Sequence, residues 1–180
     1  MKFVKMQGAG NDYVYVDCFK YKVNDPEKVA KIVSDRHFGI GADGLILVCP
    51  SDIADVRMDM YNADGSRGKM CGNGSRCVAK FAYDRAYVKK EEFELETLAG
   101  IKRISLKAEN NKAKQITVDM GNPRLYSKLP EAVIINGVQK EFIGVDMGNP
   151  HAVYFVNSLE ELESLDLEKI GPFYENHERF

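Results

Sequence analysis

The sequence predicts an α+β fold in which mostly antiparallel strands curl around one central helix. Two observations carry that reading. Short stretches of alternating apolar and polar residues, parted by glycine- and asparagine-rich turns, fill most of the chain. Among them stands one segment, Ser75-Arg76-Cys77-Val78-Ala79-Lys80-Phe81-Ala82-Tyr83, that is apolar over much of a helical circumference. Such a helix has to be buried on most sides, and a sheet wrapped around it is the economical way to do so.

The elements follow in order. Phe3 to Met6 and Tyr13 to Val16 read as strands around the turn Gly8-Ala9-Gly10-Asn11-Asp12. Asn24 or Asp25 can cap a helix with Pro26 in its first position, and Val29, Ala30, Ile32 and Val33 form its buried side. Leu45 to Val48 reads as a strand. Val56, Met58 and Met60 alternate with Arg57, Asp59 and Tyr61, and Phe93 and Leu95 alternate with Glu92, Glu94 and Glu96. Each set is a half-buried strand. The central helix is expected over about 74–88. Ile104, Leu106 and Ala108, an Asn110-Asn111 turn, then Ile116, Val118 and Met120 complete what reads as an antiparallel meander and not a βαβ series.

The segment Val118-Asp119-Met120-Gly121-Asn122-Pro123 returns as Val145-Asp146-Met147-Gly148-Asn149-Pro150, 27 residues later. Between the copies lie Val133-Ile134-Ile135, an Asn136-Gly137 hairpin turn and Phe142-Ile143. Ala152 to Val156 is a further strand, and Ser158 opens an acidic amphipathic helix through about Leu167. A first domain is expected over 1–116 and a second, shorter one over 117–180.

The 180 residues are 44% hydrophobic and 29% charged, with a formal charge of −2. That balance argues against a partner such as nucleic acid or an anionic membrane, which calls for a basic surplus. No apolar run reaches the ~18 residues of a membrane span, and the start of the chain has no signal-peptide core, so the cytosol is expected. The four cysteines (Cys18, Cys49, Cys71 and Cys77) and three histidines (His37, His151 and His177) fall in no disulfide framework or metal-ligand spacing.

Gly39-Ile40-Gly41-Ala42-Asp43-Gly44 matches the dinucleotide fingerprint in letters only. It follows a helix and precedes a strand, the reverse of the required order, and reads as a tight turn. Cys71-Gly72-Asn73-Gly74 is more chemical. A thiol just before a helix faces unpaired N–H groups and the positive end of the helix dipole, which favour a thiolate. Gly72 and Gly74 would let a carboxylate approach those groups. On the residues alone, a reactive thiolate and a small buried cysteine both remain open. Cys18, Cys49 and Cys77 read as packing residues. Asn11, Asn62 and Asn149 sit in turns, where they serve the backbone or supply neutral hydrogen bonds to an amino acid.

Taken together, Gly8-Ala9-Gly10-Asn11-Asp12-Tyr13, Asp35-Arg36-His37-Phe38-Gly39-Ile40-Gly41-Ala42-Asp43-Gly44, Asn62-Ala63-Asp64-Gly65-Ser66, Cys71-Gly72-Asn73-Gly74-Ser75-Arg76-Cys77, Met147-Gly148-Asn149-Pro150-His151 and His177-Glu178-Arg179-Phe180 resemble the diaminopimelate epimerases in order and spacing. The resemblance implies a cofactor-independent isomerase, without metal, that interconverts LL- and meso-2,6-diaminopimelate for lysine and peptidoglycan synthesis. It implies two pseudo-symmetric domains, each of mostly antiparallel strands around a central helix, with the site in the cleft between them, and a homodimer at full length. One cysteine removes the α-proton and a second returns a proton on the opposite face, while helix N-termini stabilise the carbanion. By position, Cys71 resembles the first catalytic cysteine, Gly72 and Asn73 the backbone cradle, and Asn11, Asn62 and Asn149 the substrate-binding asparagines. His151 resembles a histidine that tunes the cysteine pair.

Two departures accompany the resemblance. Gly44 stands where some relatives carry a substrate-contacting glutamine. The family's second Cys-Gly loop and its Glu-Arg clamp have no counterpart within these residues. The chain is therefore expected to hold a first domain, without any closing strand from the C-terminus, and part of a second. It is expected to be inactive alone. Rival expectations are a proline-racemase-like or phenazine-type isomerase of the same fold, a non-catalytic amino-acid-binding module, and a cysteine hydrolase pairing Cys71 with His151.

Overall fold

The computed structural model describes residues 2–148 and 150–179. They form two compact units, Met1–Met120 and Gly121–Phe180.

The first unit contains β1 (Val4–Gly8), β2 (Asn11–Asp17), α1 (Pro26–Ser34), β3 (Gly44–Cys49), β4 (Val56–Asn62), β5 (Arg67–Gly68), α2 (Gly72–Asp84), β6 (Glu92–Thr97), β7 (Gly100–Glu109) and β8 (Lys112–Val118). The strands make a curled sheet of order β1-β2-β3-β4-β6-β7-β8, with β5 beside β4. Most neighbours are antiparallel, as expected of the fold class. The plain meander needs correcting, because β2–β3 and β4–β6 are parallel pairs. A parallel pair cannot be closed by a hairpin and needs a crossover. Helix α1 supplies it for the first pair and α2 for the second.

Those crossovers place the helices on opposite faces. Tyr13, Tyr15, Ile46, Val48, Val56, Met58, Met60, Phe93, Leu95, Ile104 and Leu106 pack with Cys77, Val78, Phe81 and Ala82 of α2. Val14, Val16, Leu45, Leu47, Cys49 and Tyr61 pack with Ala30 and Val33 of α1. All six residues of β3 are buried, which is why Leu45 to Val48 is apolar without alternation. On α1, Ile32 is 59% exposed, contrary to the expected buried side. It lies about 200° around the helix from Ala30, so both cannot face the sheet.

Helix α2 begins two residues before the expected start and ends at Asp84 instead of 88. Cys71 is its N-cap, and the Ser75 N–H bonds the Cys71 carbonyl at 2.8 Å. At the other end Ala86 takes a positive φ of 59°, and the Tyr87 N–H turns back to the Ala82 carbonyl at 3.0 Å.

The second unit contains β9 (Arg124–Leu125), β10 (Glu131–Ile135), β11 (Val138–Asp146), β12 (Pro150–Val153), α3 (Leu159–Ser164) and α4 (Leu167–Glu175). Its antiparallel sheet has the order β10-β11-β12, with β9 on β11. Asn136 and Gly137 both have positive φ, the requirement of the tight hairpin read from the sequence. The single helix expected from Ser158 is two helices. Ser158 Oγ caps the first by accepting from the Glu161 N–H at 3.1 Å, Leu165 leaves the helix, and Asp166 caps the second. Among the described residues of this unit, Ile135 and Phe142 are the buried large side chains, and Phe155 is 78% exposed.

Candidate active site

Cys71 reaches the start of α2 in an extended conformation, φ −137° and ψ 116°. That geometry turns its side chain over the first helical turn, where Sγ accepts the Gly74 N–H at 3.3 Å. Gly72 and Asn73 follow as the first helical residues, whose N–H groups have no carbonyl one turn earlier to bond. A thiol and a row of outward-facing donors thus share one helix end, where the dipole favours negative charge.

The other wall comes from the sheet. Asn11 opens β2 directly after the turn at Gly10, whose φ is +83°. The Cys71 thiol donates to Asn11 Oδ1 at 3.2 Å, and Asn11 Nδ2 donates to Asp43 Oδ2 at 2.7 Å. The same Asp43 oxygen accepts the Asp12 N–H at 3.1 Å, and the Asp43 N–H returns a bond to the Asp12 carbonyl at 2.7 Å. Arg36 spans the two carboxylates, 2.8 Å from Asp12 and 2.9 Å from Asp43, and Lys5 lies 3.0 Å from Asp12. Tyr13, two residues along β2 from Asn11, is buried with its hydroxyl among Asn11 and Cys71. Burial first, then the neighbouring thiol, pushes that phenol up to about 12.

The Arg36 guanidinium holds the Asp12 carboxyl down to about 2, with Lys5 helping and partial burial opposing. A carboxyl depressed in the folded state stabilises the fold above its unfolded value, about 4, and loses that contribution as pH falls through about 2. Arg36 is half exposed, so screening limits the term to about 1 kcal/mol. The urea midpoint should therefore fall between about pH 4 and 2, and Asp12→Asn should flatten that segment of the profile.

The path for a ligand that the sequence suggests at Gly74 is not what the missing side chain provides. Gly74 is buried, and a Cβ there would meet Ile46 Cδ1 at 2.8 Å, so it lets α2 seat against β3. A Cβ on Gly72 would only touch Met120 in ordinary contact. The Asn73 side-chain oxygen accepts from Arg76 at 2.6 Å. Asn62 ends β4, pairs with Gly44, and donates its Nδ2 to Ser66 Oγ at 2.9 Å within its own turn. His151 lies on β12 opposite Val145, its carbonyl accepting from the Tyr126 hydroxyl at 3.2 Å. Asn149 is outside the described residues.

The remaining thiols are set apart. Cys77 is buried in the α2 core, and burial pushes its thiol up. Cys49 and Cys18 pack on the α1 face of the sheet, the Cys49 thiol donating to Asp59 Oδ2 at 3.9 Å; the proximity of the two thiols holds Cys18 down and raises Cys49. Among the described residues no cluster of His, Cys, Asp and Glu is arranged to hold a metal, and no helix is long and apolar enough to cross a membrane.

Nothing in the sequence singles out Asp43, Arg36 and Tyr13 individually. Asp43 was hidden inside a glycine-rich turn, and the available signal was a carboxylate placed in the loop that pairs with Asp12.

The curled sheet around a helix is shared with solved structures. A hydroxyproline epimerase from Agrobacterium vitis superposes with a TM-score of 0.67 at 14% identity, over 94% of this chain and 52% of that one. A phenazine biosynthesis protein of the PhzF family from Bacillus anthracis gives 0.64 at 19%, over 91% and 59%. These likenesses establish the fold class. The sequence goes further: residues 3–126 match the family model for diaminopimelate epimerase. The chain is 47% identical to the diaminopimelate epimerase of Methanococcus maripaludis (strain C5) and 48% identical to that of Agathobacter rectalis, in each case over all of this chain and 68% of the relative. The chain belongs to the diaminopimelate epimerase family and is an enzyme of the epimerase class.

Proposed function

We propose that this chain provides one of two proton-transfer thiols in the interconversion of LL- and meso-2,6-diaminopimelate, without a cofactor, in lysine and peptidoglycan precursor synthesis. The observation that carries the reading is the position of Cys71: its sulfur caps α2 at 3.3 Å from the Gly74 N–H and touches Asn11 at 3.2 Å. In the step assigned to it, the Cys71 thiolate takes the α-proton and becomes a thiol, and the Cα–H electron pair stays on the substrate. The Gly72 and Asn73 N–H groups meet the charge that spreads onto the substrate carboxylate. A second thiol then donates its proton to the opposite face of the planar carbon, completing inversion.

Asn11, Asn62 and Asn149 are assigned to the polar ends of the substrate and His151 to tuning the thiol pair. Residues 1–116 correspond on this reading to a first epimerase domain and 117–180 to part of a second, in a cytoplasmic homodimer with no nucleic-acid or membrane partner. The second thiol is not Cys77, which is in the core, nor Cys18 or Cys49, which pack on the opposite face of the sheet. The 180-residue polypeptide should therefore show no epimerase turnover, whereas a version extended to the length of its relatives should turn over. Stereospecific product analysis of both decides the matter, and full turnover by the short form would refute the two-thiol assignment.

A further inference from the structure

We propose that Asp43 is a positioning residue that fixes which end of the Asn11 amide faces Cys71, and so holds the proton on that sulfur. An ionised carboxylate can only accept hydrogen bonds. With Asp43 Oδ2 2.7 Å from the amide, Asn11 must present Nδ2 to Asp43 and Oδ1 to Cys71. Asp43 cannot easily turn away, because Arg36 and the Asp12 N–H both bind it.

The consequence falls on the sulfur. A thiol satisfies both of its neighbours at once, donating S–H to Asn11 Oδ1 and accepting from the Gly74 N–H. A thiolate keeps the Gly74 bond but faces a carbonyl oxygen with no hydrogen between them. The helix end favours the charge; the Asp43–Asn11 pair opposes it until the amide is released or a substrate ammonium intervenes. The other groups facing this sulfur leave that balance in place. The Tyr13 phenol keeps its proton up to about 12, Asp12 is paired with Arg36 and Lys5, and Arg76 on α2 is turned to Asn73.

This inference rests on Cys71 being the reacting thiol, but its test needs no diaminopimelate. The rate at which iodoacetamide alkylates Cys71 in the 180-residue chain at pH 7 is followed by peptide mass spectrometry. Asp43→Asn, with its oxygen kept by Arg36, turns an N–H toward Asn11 at the cost of the Asp12 N–H bond, freeing the Asn11 amide to turn its own N–H to the sulfur. Alkylation should accelerate by about three- to ten-fold, the span of one redirected hydrogen bond. Asn11→Ala should also accelerate it, and adding Asp43→Asn to Asn11→Ala should change nothing further. An unchanged or slower rate in natively folded Asp43→Asn overturns the proposal. So does an equal acceleration in the Asn11→Ala background, which would mean that only the loss of a nearby charge matters. If Asp43→Asn does not fold, a slower or unchanged rate in Asn11→Ala overturns it by itself. Loss of this effect leaves the epimerase reading standing, because that reading is judged by turnover of the extended protein.

Discussion

In the protein extended to its relatives' length, Cys71→Ala should lower epimerisation of diaminopimelate by about a thousandfold or more, the upper part of what a positioned acid–base group supplies. The size of the effect follows from the geometry. Among the described residues, nothing else in contact with the Cys71 sulfur can take a proton from carbon: the neighbours are the Asn11 carbonyl and a buried tyrosine that keeps its proton. The substitution also removes the side chain that caps α2, a loss of about 1 kcal/mol. Cys71→Ser separates the two roles. Serine is a good N-cap and should leave the melting temperature at or above that of the parent, while its hydroxyl, a far weaker acid than a thiol, should not restore turnover. Recovery of activity with serine would make Cys71 a structural cap and no more.

The second large effect is at Gly44. A Cβ there would lie 2.1 Å from the Tyr61 carbonyl oxygen and 2.8 Å from Tyr13 Cε1. The first obstacle is backbone of the paired strand β4, so no rotamer relieves it. Gly44→Ala should cost about 3 kcal/mol, the upper end of overpacking penalties, measured as a loss in the urea-unfolding free energy. Gly44→Gln should cost at least as much. Relief of the contact with Tyr13 would also move the phenol beside Cys71, so the variant's Cys71 reactivity should change together with its stability. A substitution at Gly44 that left the unfolding midpoint in place would show that β3 and β4 are looser than this register implies.

What the sequence disclosed and what it concealed divide along physical lines. The apolar helix and the alternating strands were legible because each buries one face, and burial leaves a period in the residues themselves: Val56, Met58 and Met60 do point at α2. The parallel pairs β2–β3 and β4–β6 were not, since a strand alternates in the same way whichever direction its neighbour runs. Ile32 misleads because apolar residues on opposite sides of a short helix cannot be ranked without knowing where the sheet lies. At the site, Cys71 announced itself through the glycines around it. The sequence suggests a ligand-clearing task for Gly74, but its missing side chain makes room for Ile46. The Arg36–Asp43–Asn11 chain stayed hidden because its members are separated by up to 32 residues and meet only when β2 and the loop before β3 come together.

The most direct measurement is substrate protection of a single sulfur. The extended protein is treated with iodoacetamide with and without diaminopimelate, and labelling at each cysteine is resolved by mass spectrometry. If the thiol at the head of α2 is the one that meets the substrate's α-carbon, Cys71 labels in the free enzyme and is shielded as diaminopimelate saturates, while Cys77 and Cys49 stay unlabelled in their cores. Labelling of Cys71 that is indifferent to saturating substrate, in a protein that still turns it over, would contradict the assignment.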